Sequence, residues 1–255
     1  MDGKFNIDGG LMKYLVILVG LFLSGCSTFF QPNPVGFKKD LVETEFLTFS
    51  VWEKETIQPN KPLRIYIEGD GNPNPSEKIA LHYAQMDPSD NVIYLARPCQ
   101  WSDDKVCKQK PEIYKNQRFH PEMMRETLEV LLLTINKYQA PIVELIGYDG
   151  GATVALNLAN RLPTKRVITI AGILDTNAYT YQNDLPEMPD AENPADNLMA
   201  LAQIPQVHYV GANDKITPQK MAERFVRQMN NPKSAVVKKV PDVGHSNWKG
   251  VLLDY

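Results

Sequence analysis

Three polar residues, Asp149, Asp214 and His245, have the side-chain types and the chain order that nucleophilic chemistry needs. Asp149 is the central residue of the glycine-rich segment 147–151, between a short apolar run and a predicted helix. In a G-x-S-x-G turn at such a place, small residues let the chain present a nucleophile above a sheet, at a helix N-terminus. The reactive group here would therefore be a carboxylate in place of a serine hydroxyl.

Asp214 and His245 are predicted to complete this site. Asp214 follows the predicted strand 206–210, where its carboxylate could accept a hydrogen bond from an imidazole and stabilise the charged ring. It could equally cap the following helix or stabilise a turn. His245 follows the last predicted strand; a lone histidine is often a surface residue, but its position after the glycine-rich turn and the acid favours a role as the base. The sequence thus predicts Asp149, Asp214 and His245 as catalytic residues.

Backbone N–H donors for a developing negative charge are predicted at two places. Gly150, directly after Asp149, would supply one donor, and the segment containing Asp70 and Gly71 would supply the other. Glycines in that segment permit a close approach of the backbone. The alternative for this segment is an ordinary turn rich in glycine, asparagine and proline.

The elements that would position these residues alternate along the chain. The predicted strands are 46–52, 63–68, 92–95, 142–146, 167–170, 206–210 and 235–240, and the predicted helices are 78–86, 123–138, 152–161 and 218–229. This alternation predicts an α/β fold, a mostly parallel sheet with helices on both faces. Sites in such sheets lie beyond the carboxyl ends of the strands, where all three candidate residues fall.

The N-terminus is typical of a bacterial lipoprotein. Lys13 precedes an apolar run of about ten residues, 14–23, far shorter than the roughly 20 residues of a membrane-spanning helix. Small residues follow the run up to Cys26, whose thiol would carry the lipid, including palmitate. Serine rather than aspartate after this cysteine is typical of sorting to the outer membrane, so we expect an anchor in that membrane facing the periplasm. The alternative is a buried apolar segment with a chance cysteine.

This reading divides the chain into three parts. Residues 1–25 are the predicted signal peptide, with Met12 as the natural start, and residues 26–43 are a polar tether with little fixed structure. Residues 44–255 form the predicted folded domain. In an oxidising compartment, Cys99 and Cys107 are expected to form a disulfide, whereas a cytosolic protein would keep both thiols free.

Composition excludes several functional classes. The formal charge of −3 gives no electrostatic reason to expect nucleic acid as a partner. Four histidines and three cysteines show no zinc-ligand spacing, so no metal or other cofactor is implied. The 43% of hydrophobic residues among 255 suffices for the core of one α/β domain.

Taken together, the motifs resemble those of α/β-hydrolase-fold proteins of bacterial envelopes. That group carries Y-I-E-G-D-G, L-A-R-P-C-Q, G-Y-S-G-G, A-G-x-L-D and H-Y-V-G-x-x-D segments and a terminal G-H. In this chain they lie at 66–71, 95–100, 147–151, 171–175, 208–214 and 244–245. The resemblance covers about residues 60–250 and implies hydrolase ancestry, with Asp214 and His245 as acid and base and with Gly150 and the loop near Asp70 as oxyanion donors. Asp149 departs from the serine of the group.

The departure at Asp149 leaves two main functional hypotheses, besides a merely structural role for the lipoprotein. Attack of a carboxylate on an acyl carbonyl would give a mixed anhydride, but at an sp³ carbon it forms an alkyl ester that His245 can hydrolyse with water. Haloalkane dehalogenases and epoxide hydrolases work in this way, yet they usually have tryptophan after the aspartate and a sizeable cap. Here Gly150 follows, and the cap-like insertion spans only about 174–198.

The first hypothesis is therefore a lipoprotein hydrolase that acts on a small ester-like or other hydrolysable substrate, with Asp149 as nucleophile or general base. The second is a degenerate hydrolase that binds a small ligand or an envelope partner. In that case Asp149, at a helix N-terminus near His245, would be a stable anion that mimics a bound intermediate.

Overall fold

The strands form an eight-stranded, mostly parallel sheet. The computed structural model describes residues 34–70, 73, 75, 78–230 and 235–254. The strands are β1 (Phe37–Glu43), β2 (Thr48–Lys54), β3 (Leu63–Ile67), β4 (Val92–Leu95), β5 (Val143–Tyr148), β6 (Thr164–Ile170), β7 (Gln206–Gly211) and β8 (Ala235–Val240). Their order in the sheet is β1-β2-β4-β3-β5-β6-β7-β8. β2 is antiparallel to both of its neighbours, and every other pairing is parallel.

Helices connect the parallel strands. They are α1 (Ile79–Met86), α2 (Lys105–Gln109), α3 (Pro121–Tyr138), α4 (Gly150–Ala159), α5 (Thr176–Gln182), α6 (Leu198–Leu201) and α7 (Gln219–Gln228). Short 3₁₀ helices add Pro111–Tyr114 and Pro194–Asn197. Among the described residues, no helix has the length and apolarity needed to cross a membrane.

The hydrophobic core has two layers, one on each face of the sheet. Alternate residues of a strand point to opposite faces, so Ile65 joins the cluster that contains residues of α3, α4 and α7. Tyr66 joins the cluster that contains residues of α1 and Trp248. Because both faces are covered, β3, β4 and β5 are almost entirely buried, which explains their continuous apolar sequences. The predicted α/β fold with helices on both faces is confirmed.

The predicted end of the tether was wrong. The tether was expected to extend to residue 43, but β1 (Phe37–Glu43) pairs along its whole length with β2. Apart from Phe37, which is buried, its side chains are partly buried or exposed, so the strand is held largely by backbone pairing at a sheet edge. The insertion 174–198 also contains α5 and a 3₁₀ helix. The predicted signal peptide and Cys26 lie outside the described residues.

The predicted disulfide is present. Cys99 and Cys107 are bonded, with their Cα atoms 5.5 Å apart. Both half-cystines are buried, and the short loop that the bond closes ends in α2, which contains Cys107. The bond therefore fixes the segment that directly follows β4.

Candidate active site

The glycine-rich segment forms a sharp turn between β5 and α4, with Asp149 in a strained backbone conformation. Its φ is 50° and its ψ is −119°, a region that non-glycine residues rarely adopt. The Asp149 N–H donates to the Ile170 carbonyl at 3.0 Å, and its own carbonyl accepts from the Ala152 and Ile173 N–H groups. A Cβ at Gly151 would lie 2.3 Å from the Ile67 carbonyl oxygen, so glycine is required where α4 starts against β3.

The two carboxylate oxygens of Asp149 have different partners. Oδ2 accepts a hydrogen bond from the backbone N–H of Asp70 at 3.2 Å. Oδ1 lies 3.3 Å from Nε2 of His245. The Asp149 side chain is only 13% exposed, so both contacts are made in a largely desolvated environment. The carboxylate therefore bridges the predicted base and a predicted oxyanion donor.

His245 is held between two carboxylates. Its Nδ1 lies 3.0 Å from Oδ2 of Asp214, while Nε2 faces Asp149. Asp214 is itself fixed, because its Oδ1 accepts from the Ile216 and Thr217 N–H groups at 2.8 and 2.9 Å. Both alternatives for Asp214 are thus partly realised: it stabilises the turn before α7 and also contacts the imidazole. It does not cap α7, whose N-cap residue is Pro218.

These contacts shift the pKa values of all three groups. Burial opposes the charged imidazole, but the hydrogen bonds with Asp149 and Asp214 outweigh burial and raise the pKa of His245 to about 10. Burial likewise opposes the charged carboxylates, but the hydrogen bond with His245 lowers the pKa of Asp149 and that of Asp214. The N–H groups of Gly150 and Asp70 also help lower the pKa of Asp149. At neutral pH the site is an imidazolium between two carboxylates.

Two of the three residues predicted to form the oxyanion hole, Asp70 and Gly150, lie within the described part of the chain. The Asp70 N–H contacts Asp149 Oδ2, and the Gly150 N–H also stabilises the Asp149 carboxylate. A Cβ at Gly150 would lie 1.9 Å from Asp70 Oδ1, so the Asp70 side chain covers this end of α4. Gly71 lies outside the described residues.

Sequence reasoning missed two arginines and a tyrosine near the site. Arg97 Nη1 donates to Asp70 Oδ1 at 2.8 Å, and Arg118 Nε donates to Asp70 Oδ2. Tyr179, from α5 in the insertion, is close to this group: burial first, and then the charge of Asp149, raise its pKa to about 12. The L-A-R-P-C-Q segment contained Arg97 but did not indicate its partner. Neither Arg118 nor Tyr179 lies in any segment that suggested chemistry.

Space beside the arginines is small. A cavity of about 10 Å³, lined in part by Asp70, Arg97 and Arg118, has room for about one water molecule. Within residues 34–70, 73, 75, 78–230 and 235–254, no group of three or more histidine, cysteine or acidic side chains is arranged to hold a metal ion. The groups that meet at the described site are the carboxylates of Asp149 and Asp214, the imidazole of His245 and the backbone N–H of Asp70.

Comparison with solved structures identifies the fold. No protein-family model and no curated protein sequence matches this chain. An esterase from Pyrococcus furiosus superposes with a TM-score of 0.62 at 14% identity, over 84% of this chain and 85% of that one. An alpha-beta serine hydrolase homologue from Coxiella burnetii gives 0.58 at 14% identity, over 82% and 89%.

A serine hydrolase without a lid, from Xanthomonas campestris, gives a TM-score of 0.52 at 13% identity, over 84% of this chain and 87% of that one. The likeness covers nearly the whole described domain, and the eight-stranded, mostly parallel sheet is consistent with it. The chain has the α/β-hydrolase fold, and at these identities the likeness establishes the fold alone.

Proposed function

We propose that this protein is an envelope hydrolase in which Asp149 attacks an sp³ carbon of a small substrate such as an epoxide or a haloalkane. The observation that carries the proposal is that the two oxygens of the Asp149 carboxylate contact different groups. Oδ2 lies on the Asp70 N–H at 3.2 Å, while Oδ1 faces His245 Nε2 at 3.3 Å. The sequence alone left ester-like substrates open; mixed-anhydride formation makes them the less favourable class.

In the first step, a lone pair of Asp149 Oδ1 forms a bond to the substrate carbon, and the leaving group departs with its electron pair. If the substrate is an epoxide, the leaving oxygen stays attached and takes a proton from the His245 imidazolium. The high pKa of His245 means that this proton is present at neutral pH. With an epoxide, the products of the step are an alkyl ester on Asp149 and a neutral imidazole. With a haloalkane, the halide leaves without a proton, and the imidazolium then releases its proton to solvent because the esterified Asp149 no longer stabilises the charge.

In the second step, neutral His245 removes a proton from water, and the hydroxide attacks Cγ of Asp149. Negative charge then develops on Oδ2, which already lies on the Asp70 N–H. The bond from Cγ to Oδ1 breaks, and His245 gives its proton to the departing alcohol. The new carboxyl group of Asp149 then transfers its own proton to His245, which restores the carboxylate and the imidazolium. Esterification helps this step, because it removes one of the two negative charges that raise the pKa of His245.

A trapping experiment tests the covalent step. His245→Ala protein incubated with a haloalkane, whose halide leaves without a proton, should accumulate an adduct on the Asp149 peptide, detected by mass spectrometry, because the ester cannot be hydrolysed. His120→Asn, which keeps a helix-capping side chain at the start of α3, should turn over normally. If His245→Ala protein forms no adduct with any epoxide or haloalkane, Asp149 is not the nucleophile. Asp149→Asn protein, which should form no adduct, is the negative control.

A second candidate is a degenerate hydrolase that binds a ligand or an envelope partner. It is favoured by the same Oδ2 contact, because a resident carboxylate on the oxyanion donor mimics a bound anion. Asp149→Ser would remove this anion and leave His245 on Asp214. Esterase activity that appears in Asp149→Ser and is absent from the native protein, together with no adduct in the trapping experiment, would favour this candidate.

The location of the protein is part of the proposal. Cys26 at the end of the apolar run would carry acyl chains and anchor the chain in the outer membrane, facing the periplasm. The Cys99–Cys107 disulfide supports an oxidising compartment. Metabolic labelling with palmitate should mark the native protein and not Cys26→Ser, and fractionation should place the labelled protein with outer membranes. No nucleic acid is proposed as a partner.

A further inference from the structure

Asp70 links the oxyanion donor to a pair of arginines. Its backbone N–H lies on Asp149 Oδ2, while its side-chain carboxylate accepts from Arg97 Nη1 and from Arg118 Nε. The donor and the carboxylate belong to one residue, so whatever fixes the side chain also restricts the direction of the N–H. We call Arg97, Asp70 and Arg118 the arginine clamp.

The arginine clamp is largely buried. Its side chains are 5% exposed for Arg97 and 14% exposed for both Asp70 and Arg118. Surface ion pairs contribute little because solvent screens them, but charge-assisted hydrogen bonds in a buried site are stronger and better defined. The clamp is therefore able to hold the Asp70 loop in one position.

Each arginine is itself fixed by other contacts. Both guanidinium groups lie over the ring of Phe119, at 5.3 Å for Arg97 and 5.0 Å for Arg118. Arg97 Nη2 donates to the Arg118 carbonyl at 2.9 Å, and Arg118 Nη1 donates to the Lys115 carbonyl. These donors are used within the protein, which argues against the alternative that the arginines bind an anionic group of a substrate.

The segment after β4 supports the same loop from the other side. Gln100 Nε2 donates to the Gly69 carbonyl at 3.0 Å, and its Oε1 accepts from the Arg97 N–H at 3.0 Å. Cys99, between these residues, is anchored by the disulfide to Cys107. The Gly69 carbonyl and the Asp70 N–H belong to the same peptide group, so this bond from Gln100 ties the donor's own peptide group to a cross-linked segment.

We infer that Arg97 and Arg118 are positioning residues that hold the Asp70 N–H as an oxyanion donor by binding the Asp70 carboxylate. The inference rests on the proposed function for the meaning of the donor, but the geometry it describes does not depend on which nucleophile occupies position 149. Loss of one oxyanion donor typically reduces a rate by about 100- to 1000-fold. A donor that is loosened but not lost should have a smaller effect.

The first test uses Asp149→Ser, which supplies a hydroxyl nucleophile, and a fluorophosphonate probe. Its phosphoryl oxygen develops negative charge as serine attacks, so the labelling rate measured by intact-protein mass reports on the donors. Adding Arg118→Gln or Asp70→Asn should reduce the labelling rate by about tenfold or more. Arg118→Lys should restore part of the loss, because lysine keeps the charge without the planar geometry. The matched control is Arg125→Gln, an exposed arginine paired with Glu45.

The second test uses the chain with Asp149 in place and needs no labelling. Hydrogen exchange of the Asp70 amide should be faster by about tenfold in Arg118→Gln than in the unaltered chain, whereas exchange of core β5 amides should be unchanged. A general loss of stability would instead speed exchange at both places. Unchanged Asp70 exchange overturns the inference, even if the Asp149→Ser protein does not label. If the Asp70 amide exchanges faster in Arg118→Gln but the trapping experiment gives no Asp149 adduct, only the proposed nucleophile is rejected. The positioning role of the arginines then stands.

Discussion

Asp149 and Asp214 share one imidazole, and this arrangement sets the ionisation of the site. In a site with a serine at this position, one carboxylate would contact His245 and the ring would be free to accept a proton near neutral pH. Here a second carboxylate lies 3.3 Å from Nε2, and the pKa of His245 is raised to about 10. The resting site is consequently a proton donor, and it becomes a base only after Asp149 is neutralised.

The first prediction follows directly for Asp149→Asn. Because the amide removes a charge that raises the pKa of His245, the midpoint of the His245 ring titration should fall from about 10 toward neutral pH. NMR chemical shifts of the ring protons across a pH series measure this midpoint. A midpoint that stays near that of the native protein in Asp149→Asn would show that Asp214 alone holds the imidazole charged.

The same pKa predicts how stability depends on pH. The folded pKa of His245 lies above the unfolded value of roughly 6.5, so its contribution to stability is complete below that value and is lost as pH rises through about 10. The free energy of unfolding should fall by on the order of 2 kcal/mol between pH 7 and 9. Urea unfolding of the native protein and His245→Gln, which cannot titrate, isolates this contribution. If the free energy of unfolding fell equally with pH in the two proteins, His245 would not be the source of the pH dependence.

At the scale of elements, strands with an apolar or alternating sequence were predictable, including the edge strand β8, whereas the polar edge strand β1 was not. β4 and β8 agree with their predicted bounds because apolar or alternating residues give a clear signal over their whole length. β1 carries Lys38, Lys39 and Asp40 and is held by pairing with β2, which depends on a partner that local sequence does not reveal.

The residues of the candidate site also differed in whether the local sequence gave a signal for them. Asp149, Asp214 and His245 could be found from the sequence, because each directly follows a predicted strand. Arg118 could not, because it follows a turn-rich segment and reaches Asp70 only through the tertiary fold. The turn at Cys99 and Trp101 was equally hidden: both residues have positive φ values, 70° and 58°, without being glycine.

The disulfide gives a prediction for this segment. Replacing both cysteines by alanine should lower the free energy of unfolding by about 2 to 3 kcal/mol, because the unfolded chain loses its cross-link across a short loop. Denaturant titration measures the change. A reducing agent should lower the stability of the native protein to the same level and leave the double variant unaffected. If the variant matches the oxidised native protein, the disulfide does not stabilise the fold.

At the scale of the whole molecule, the chain enters the sheet at the end where the parallel strands start, opposite to the turn that contains Asp149. Phe37 at the start of β1 pairs with Lys54 at the end of β2, and Glu53 of β2 pairs with Ile93 near the start of β4. β1 therefore starts at the edge where the parallel strands start, whereas Asp149 follows the end of β5. A six-residue strand separates these edges by about 20 Å.

If Cys26 is acylated as proposed, the connection through β1 favours placing this end of the sheet toward the membrane. From Cys26 to Phe37, eleven residues of chain span at most roughly 40 Å, which is enough for this end to lie against the bilayer. A cavity of about 380 Å³ at this end is lined by Lys61, Arg64 and Lys165 and also by Asp90 and Glu144. Glu144 pairs with both Arg64 and Lys165, so these charges are largely balanced within the protein.

The last prediction is therefore that the acylated protein displays Asp149 away from the bilayer. A fluorophore at Lys61→Cys should be quenched by nitroxide lipids more strongly than one at Lys220→Cys. Lys220 lies near the start of α7, at the same end of the sheet as Asp149. The Cys26→Ser protein should lose quenching at both positions, which tests the anchor separately. Stronger quenching at position 220 in the acylated protein would reverse the orientation, and the substrate would then reach Asp149 from the membrane side.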